Sequence, residues 1–207
     1  MSPNYNPTIH TYNRIARHYF ERRKDRSAIK HHLDRFIRMI EEQRLEDLPV
    51  IDVGCGPGFD TATMREAGLH SIGLDLSLAM LQMGMRYYPG SFMLADMLSL
   101  PTITAVGGIW SCASLLHLPR ADMPKALEEF ARVMVPGGVL YLSVKEGQGH
   151  QWSTGTDGEP GPRLFTLWKS SALDPLIETA GFRLVHSTAE TSEEGTVWLA
   201  RFAIRSS

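Results

Sequence analysis

The sequence predicts an α/β fold: five strands joined by crossover helices into a parallel sheet, a closing antiparallel pair, helices on both faces and a helical cap at the N-terminus. Three observations carry that expectation. Short apolar runs alternate with helical periods from about residue 49 to residue 180, the rhythm of a parallel sheet. The first run leads into a turn with glycine at alternate positions, Gly54, Gly56 and Gly58. The last two runs are separated only by a short turn around Glu193-Glu194-Gly195, which forces them antiparallel.

Taken in order, residues 11–24 and 28–42 read as helices, the second with Leu33, Phe36, Ile37 and Ile40 on one face. Residues 49–53 form the first strand, and 60–67 a helix that stops at Gly68. The second strand, 71–74, ends at Asp75. A helix over 77–86 takes Ser77 as its N-cap, and the third strand, 91–95, ends at Asp96. Strand four covers 108–112, and the helix over 121–134 is stopped by Val135-Pro136-Gly137-Gly138. Strand five, 139–144, is almost continuously apolar, as suits a strand covered on both faces. Residues 147–162, rich in glycine and polar side chains, read as a long loop of the kind that forms lids. A helix over 171–180 ends at Gly181, and strands over 182–187 and 196–204 close the sheet. The whole is expected to be one domain over 1–207: cap 1–45, ligand-binding core 48–145, lid 146–169, and C-terminal helix with strand pair 170–207.

Composition narrows the class. With 207 residues, 43% hydrophobic and 21% charged, the chain can bury one full core. No apolar run approaches the roughly 20 residues of a membrane span, and the first ten residues lack the basic start and apolar stretch of a secretory signal. The expectation is a soluble, cytoplasmic protein without a membrane partner, a monomer or homodimer. Two cysteines, Cys55 and Cys112, make no disulfide framework and no zinc site by themselves, and no metal is expected. The net charge of −2 conceals a basic element: nine Lys/Arg against three acids between Arg14 and Arg38, so +6 there and −8 elsewhere. That element reads either as a solvated, internally paired helical face or as a cover that attracts anions.

The glycine turn lies where open α/β sheets bind ligands, beyond the carboxyl ends of the strands, and a missing Cβ lets a ligand approach the backbone. Acids at successive strand ends say which ligand. Asp75 can accept hydrogen bonds from two ribose hydroxyls, and Asp96 from the exocyclic amine of adenine. Asp52 stands at the entrance to the turn, where a pyrophosphate would be repelled but a cationic amine and sulfonium tolerated. The charge pattern therefore favours S-adenosylmethionine, with S-adenosylhomocysteine as product, over NAD.

The residues Asp52-Val53-Gly54-Cys55-Gly56-Pro57-Gly58, Gly73-Leu74-Asp75-Leu76-Ser77 with Met80, Ala95-Asp96-Met97, Leu116-His117-Leu118 and Arg132-Val133-Met134-Val135-Pro136-Gly137-Gly138 resemble the class I S-adenosylmethionine-dependent methyltransferases, in their small-molecule branch. The resemblance implies a Rossmann-like, seven-stranded mixed sheet with a reversed last strand. It further implies that the glycine turn with Cys55 holds the methionine moiety, Asp75 the ribose, and Leu76, Asp96 and Met97 the adenine, with Met80 and Ala113 also against the cofactor. Tyr12 and Tyr19, in a segment that looks like the family's N-terminal helix, share one face and would cover the cofactor.

Methyl transfer is a displacement that rests on alignment and dehydration, so a dedicated base is optional. Where the acceptor is a hydroxyl or a protonated amine, His117 is the candidate base. The segment after strand five supplies His150, Trp152, Arg163, Phe165 and Trp168, which suits an aromatic or carboxylate-bearing small molecule held by stacking and an arginine fork. The function expected is methyl transfer to an O or N atom of such a molecule. Two alternatives stand beside it: a tRNA methyltransferase using the basic segment, and a non-catalytic or NAD-type nucleotide-binding protein. Nucleic acid is the less favoured partner.

Overall fold

The computed structural model describes residues 6–101, 105–153 and 161–207. Two helices open the chain, α1 (Asn6–Arg22) and α2 (Ser27–Glu42). Then come β1 (Val50–Val53), α3 (Phe59–Glu66), β2 (Ser71–Asp75), α4 (Leu78–Tyr87), β3 (Ser91–Leu94) and β4 (Val106–Cys112). After two short 3-10 turns follow α5 (Met123–Val133), β5 (Met134–Lys145), β6 (His150–Ser153), β7 (Arg163–Thr166), α6 (Ser170–Thr179), β8 (Phe182–Thr191) and β9 (Val197–Arg205).

Seven strands form one sheet in the order β3-β2-β1-β4-β5-β9-β8. The pairs from β3 to β5 are parallel, and β9 runs antiparallel to both β5 and β8. The alternation of side chains along each strand divides the interior into two layers. Ile51, Ile109, Leu140 and Leu142 pack with Leu127 and Phe130 of α5 and Ile177 of α6. Val50, Trp110, Val139, Tyr141 and Phe202 point the other way, to Leu33, Phe36 and Ile40 of α2 and Met64 of α3. The apolar stripe read on α2 is the face that is buried. At about 25 cal/mol per Å² of apolar surface, a buried Phe36 or Ile40 stabilises the fold by about 2 kcal/mol.

Chain order reverses between β1 and β4, the neighbouring central strands, and their carboxyl ends open the crevice in which such folds hold ligands. Helix α1 lies across that crevice. Asn13 Oδ1 accepts from the Ser77 hydroxyl (2.9 Å) and the Ala79 amide (3.1 Å), fastening α1 to the start of α4. Ser77 caps α4 as its sequence position indicates, accepting from Met80 N at 3.3 Å. Nearer the start of α1, Thr8 Oγ1 accepts from Leu164 N (2.9 Å) and the Thr11 hydroxyl donates to Pro162 O (2.8 Å).

Two expectations are corrected. Residues 147–162 are not all loop, because β6 and β7 pair antiparallel, Trp152 opposite Leu164 and Ser153 opposite Arg163; residues 154–160 of that stretch lie outside the described ones. Period-two alternation over so few residues is hidden by the surrounding glycines. Val135-Pro136-Gly137-Gly138 does end a helix, but it does not separate helix from strand, since β5 already begins at Met134. The pairing shifts register between Val106–Met134 and Gly108–Val139, and Gly137 takes a positive φ of 83°. A bulge of this kind admits proline, whose missing N–H would break a regular ladder.

Candidate active site

Beneath α1, at the carboxyl ends of β1, β2 and β4, lies a cavity with about 1040 Å³ of space free of protein atoms, its mouth included. Of the residues singled out in the sequence, Tyr12, Tyr19, Asp52, Gly54, Cys55, Gly56, Asp75, Leu76, Met80, Met97, Ala113 and His117 line it. Gly58, Asp96, His150, Trp152, Arg163 and Trp168 are not among the lining residues.

Asp75 ties the rim together. One carboxylate oxygen accepts from Gly56 N at 2.8 Å, the other from Ser77 N at 2.7 Å, so the end of β2 holds the glycine turn in place. Burial raises the carboxyl's pKa, while the amides of Ser77, Gly56 and Leu76 pull it back towards ionisation. A carboxylate offers about four lone-pair sites, so these amides leave room for a ligand to donate to it as well.

The three glycines differ in what they do. A Cβ on Gly54 would meet Ser114 Cβ at 2.3 Å, and one on Gly58 would meet the Phe92 ring at 2.4 Å, so these two permit the protein to pack on itself. At Gly56 an added Cβ would meet nothing nearer than the Tyr19 ring at 4.0 Å, across the cavity. The expectation that all three admit a ligand therefore holds in geometry for one. Asp96 also departs from expectation: its carboxylate accepts from Leu98 N (2.9 Å) in the turn after β3, and its neighbours Ala95 and Met97 face the cavity instead.

Sequence reasoning missed the charged network at the cavity floor. Arg26, between α1 and α2, donates to both oxygens of Asp60 (2.9 and 2.7 Å), and Trp110 Nε1 donates to one of them (2.9 Å). Arg26 and Asp60 line the cavity, and nothing in the spacing of residues 34 apart announces such a pair. Burial opposes the charge of Arg26, but the paired Asp60 holds it ionised. Asp52, which accepts from the Thr61 hydroxyl at 2.6 Å, is pushed up to about 8 by burial and by the Asp60 carboxylate. Burial likewise pushes the Cys112 thiol up to about 11 and raises Cys55 well above the usual thiol range, so both behave as packing residues.

On the opposite wall, Tyr12 Oη lies 2.9 Å from His117 Nε2, and His117 Nδ1 lies 2.6 Å from Leu164 O. A carbonyl only accepts, so Nδ1 carries the proton and Nε2 accepts from the Tyr12 hydroxyl. Burial, assisted by the charges of Arg163 and Lys145 and opposed by the bond to Leu164, pushes His117 down to about 4. It is neutral at pH 7. Arg163 is buried behind Tyr12 and Phe165, its guanidinium 5.8 and 5.5 Å from their ring centroids. Lys145 Nζ sits 4.1 Å from the Phe165 ring, which in turn lies 5.1 Å from His117. Trp168 is 1% exposed, inside the core with the Arg120 guanidinium 3.8 Å from its ring, whereas His150 is exposed and Trp152 is 37% exposed on β6.

Much of the basic segment's charge is paired within the chain. Arg17 pairs with Glu21 and Lys30 with Asp34 along their helices, and Arg26 is held by Asp60.

A seven-stranded sheet with a reversed β9, a glycine turn tied to an acid at the end of β2, and a covering helix define the class I methyltransferase fold. Residues 50–138 match the family model described as a methyltransferase domain. The chain is 38% identical over 96 residues to the malonyl-[acyl-carrier protein] O-methyltransferase of Salmonella typhimurium, a match covering 45% of this chain and 38% of that one. It is 30% identical over 136 residues to the trans-aconitate 2-methyltransferase of an Azoarcus species, covering 64% and 53% respectively. The matches thus span about half or less of these relatives' lengths. The 1,6-didemethyltoxoflavin-N1-methyltransferase of Burkholderia thailandensis, solved with its substrate and S-adenosylhomocysteine, shares the fold with a TM-score of 0.69 at 17% identity, covering 99% of this chain and 92% of that one. No helix among the described residues is long and apolar enough to cross a membrane.

Proposed function

We propose that the protein is an S-adenosylmethionine-dependent methyltransferase whose acceptor is an O or N atom of a small, anionic molecule. The observation that carries the cofactor is Asp75: a half-buried carboxylate at the end of β2, tied to the amides of the glycine turn and facing a cavity into which Gly56 projects no side chain. The donor set fits the group. Asp75 would take the ribose hydroxyls, Leu76, Ala95 and Met97 would wall the adenine, and the Gly54-Cys55-Gly56 turn with Arg26 and Asp60 would hold the amino-acid end. When bound, S-adenosylmethionine supplies an electrophilic methyl on a sulfonium.

What the chain then contributes is placement and exclusion of water. Tyr12 and Tyr19, edge to face with centroids 5.8 Å apart, would cap the reacting space. Tyr12, its hydroxyl proton given to His117, is held with its ring against the space where the acceptor would lie. An imidazole pushed down to about 4 is poorly matched to taking a proton at pH 7, so His117 acts here as a positioning residue and the acceptor arrives already deprotonated. The cations Arg163 and Lys145 beside His117 support an anionic acceptor, and the relatives named for malonyl and aconitate acceptors agree.

Calorimetry against S-adenosylhomocysteine and NADH tests the first part. Binding of the former alone is expected, and binding of NADH alone would overturn it. Transfer of labelled methyl to a panel of small carboxylates, amines and bulk tRNA tests the second, with turnover expected on a carboxylate.

A further inference from the structure

None of the residues of a second cluster lines the cavity. His31 and His32 stand side by side on α2 and meet Glu190 of β8. His31 Nε2 lies 3.3 and 3.2 Å from the two carboxylate oxygens of Glu190, and His32 Nε2 lies 3.3 Å from the first of them. One donor atom can be drawn from each residue so that all three lie within 4.8 Å of one another.

Those lengths can be compared with a bound ion. Tetrahedral zinc with nitrogen at about 2.0–2.1 Å and carboxylate oxygen at about 2.0–2.2 Å requires donor-to-donor edges of about 3.3–3.5 Å. The two nitrogen–oxygen edges are already close to that. The nitrogen–nitrogen edge alone has to close, and the His31 side chain, 56% exposed, is at liberty to rotate.

We propose that His31, His32 and Glu190 form a binding site for a divalent transition-metal ion of the zinc class. Two imidazoles and one carboxylate select such an ion over calcium or magnesium, which take oxygen donors. His32 is the fixed ligand: its side chain is 7% exposed and packs near Tyr141 and Phe202, ring centroids 5.5 and 5.9 Å away. His31 and Glu190 face solvent and leave the remaining coordination position to water. Arg35, over the Phe202 ring at 5.8 Å and acting on His186, is the neighbouring cation that the ion must tolerate. The two ends of the site are 159 residues apart in sequence, so a bound ion would pin the N-terminal α2 to the closing strand pair.

The test uses the full chain free of any histidine tag and stripped with a chelator. Titration with zinc chloride by calorimetry is expected to give one ion per chain with a Kd of about 10 µM or tighter. Cobalt(II) should develop the intense visible bands of a tetrahedral site, and zinc should raise the melting temperature. Glu190→Gln and His31→Ala, both at exposed side chains, are each expected to weaken binding at least about tenfold while leaving the metal-free melting temperature within about 2 °C. Absence of saturable binding below about 100 µM, or unchanged binding in Glu190→Gln, would overturn the proposal and leave the three side chains an ion-paired contact. None of these readouts depends on methyl transfer.

Discussion

The two sides of the cavity are built by different means. On the side of β1 and β2, positions are set by backbone: a glycine turn, two amides and the carboxylate that joins them. On the side of β6, β7 and α1, they are set by long-range contacts between side chains and distant carbonyls, Tyr12 to His117 and His117 to Leu164. The first arrangement is local in sequence and repeats wherever the same turn occurs. The second depends on how three separate segments meet, and so is free to differ with each acceptor.

The largest effect should fall on the backbone-built side. Asp75→Ala removes an acceptor from two amides as well as from the ligand, and charge-assisted bonds contribute about 1.5–3 kcal/mol each, so affinity for S-adenosylhomocysteine should fall at least about 100-fold by calorimetry. Asp96→Ala should change it by less than about threefold, because that carboxylate serves its own turn. Equal losses in the two variants would break the distinction between an acid that lines the cavity and one that does not.

A middle-sized effect is expected at the pair that joins α1 to the acceptor wall. Tyr12→Phe should raise KM for the acceptor about tenfold, with kcat and cofactor affinity little changed. The pH profile of kcat in the wild type should lack an inflection near 6.5, and a base-limited bell centred there would restore His117 as the proton acceptor. Stability carries the same shift. His117 is depressed from 6.5 to about 4, so its contribution is present above 6.5 and lost as pH falls towards 4, up to about 3 kcal/mol. His117→Asn should remove that pH-dependent loss from denaturant melts. The smallest effect belongs to Trp152→Ala, where exposure on β6 predicts a change in KM of less than about twofold; a tenfold change would place the indole against the acceptor.

The same contrast governs what was legible beforehand. Periods of two and 3.6, the stops at Gly68 and Gly181 and the turn at Gly195 are local signals, and the parallel strands with their closing antiparallel pair followed from them. The cavity's backbone-built wall was legible for the same reason, through Asp75 and Gly56. Asp96 accepts from Leu98 N, because an aspartate at a strand end is equally able to cap the turn that follows. What an added Cβ at Gly54 or Gly58 would strike is not legible in a sequence either. Arg26 with Asp60, and the burial of Arg163, rest on contacts between remote segments that no spacing encodes.

Helix α1 is fastened to α4 through Asn13 and to the β6–β7 hairpin through Thr8 and Thr11. The first half of one rigid rod thus latches two compartments, and prising it away from either loosens its hold on the other. Spent donor and finished product would consequently share one exit event, governed by how often a handful of hydrogen bonds let go together.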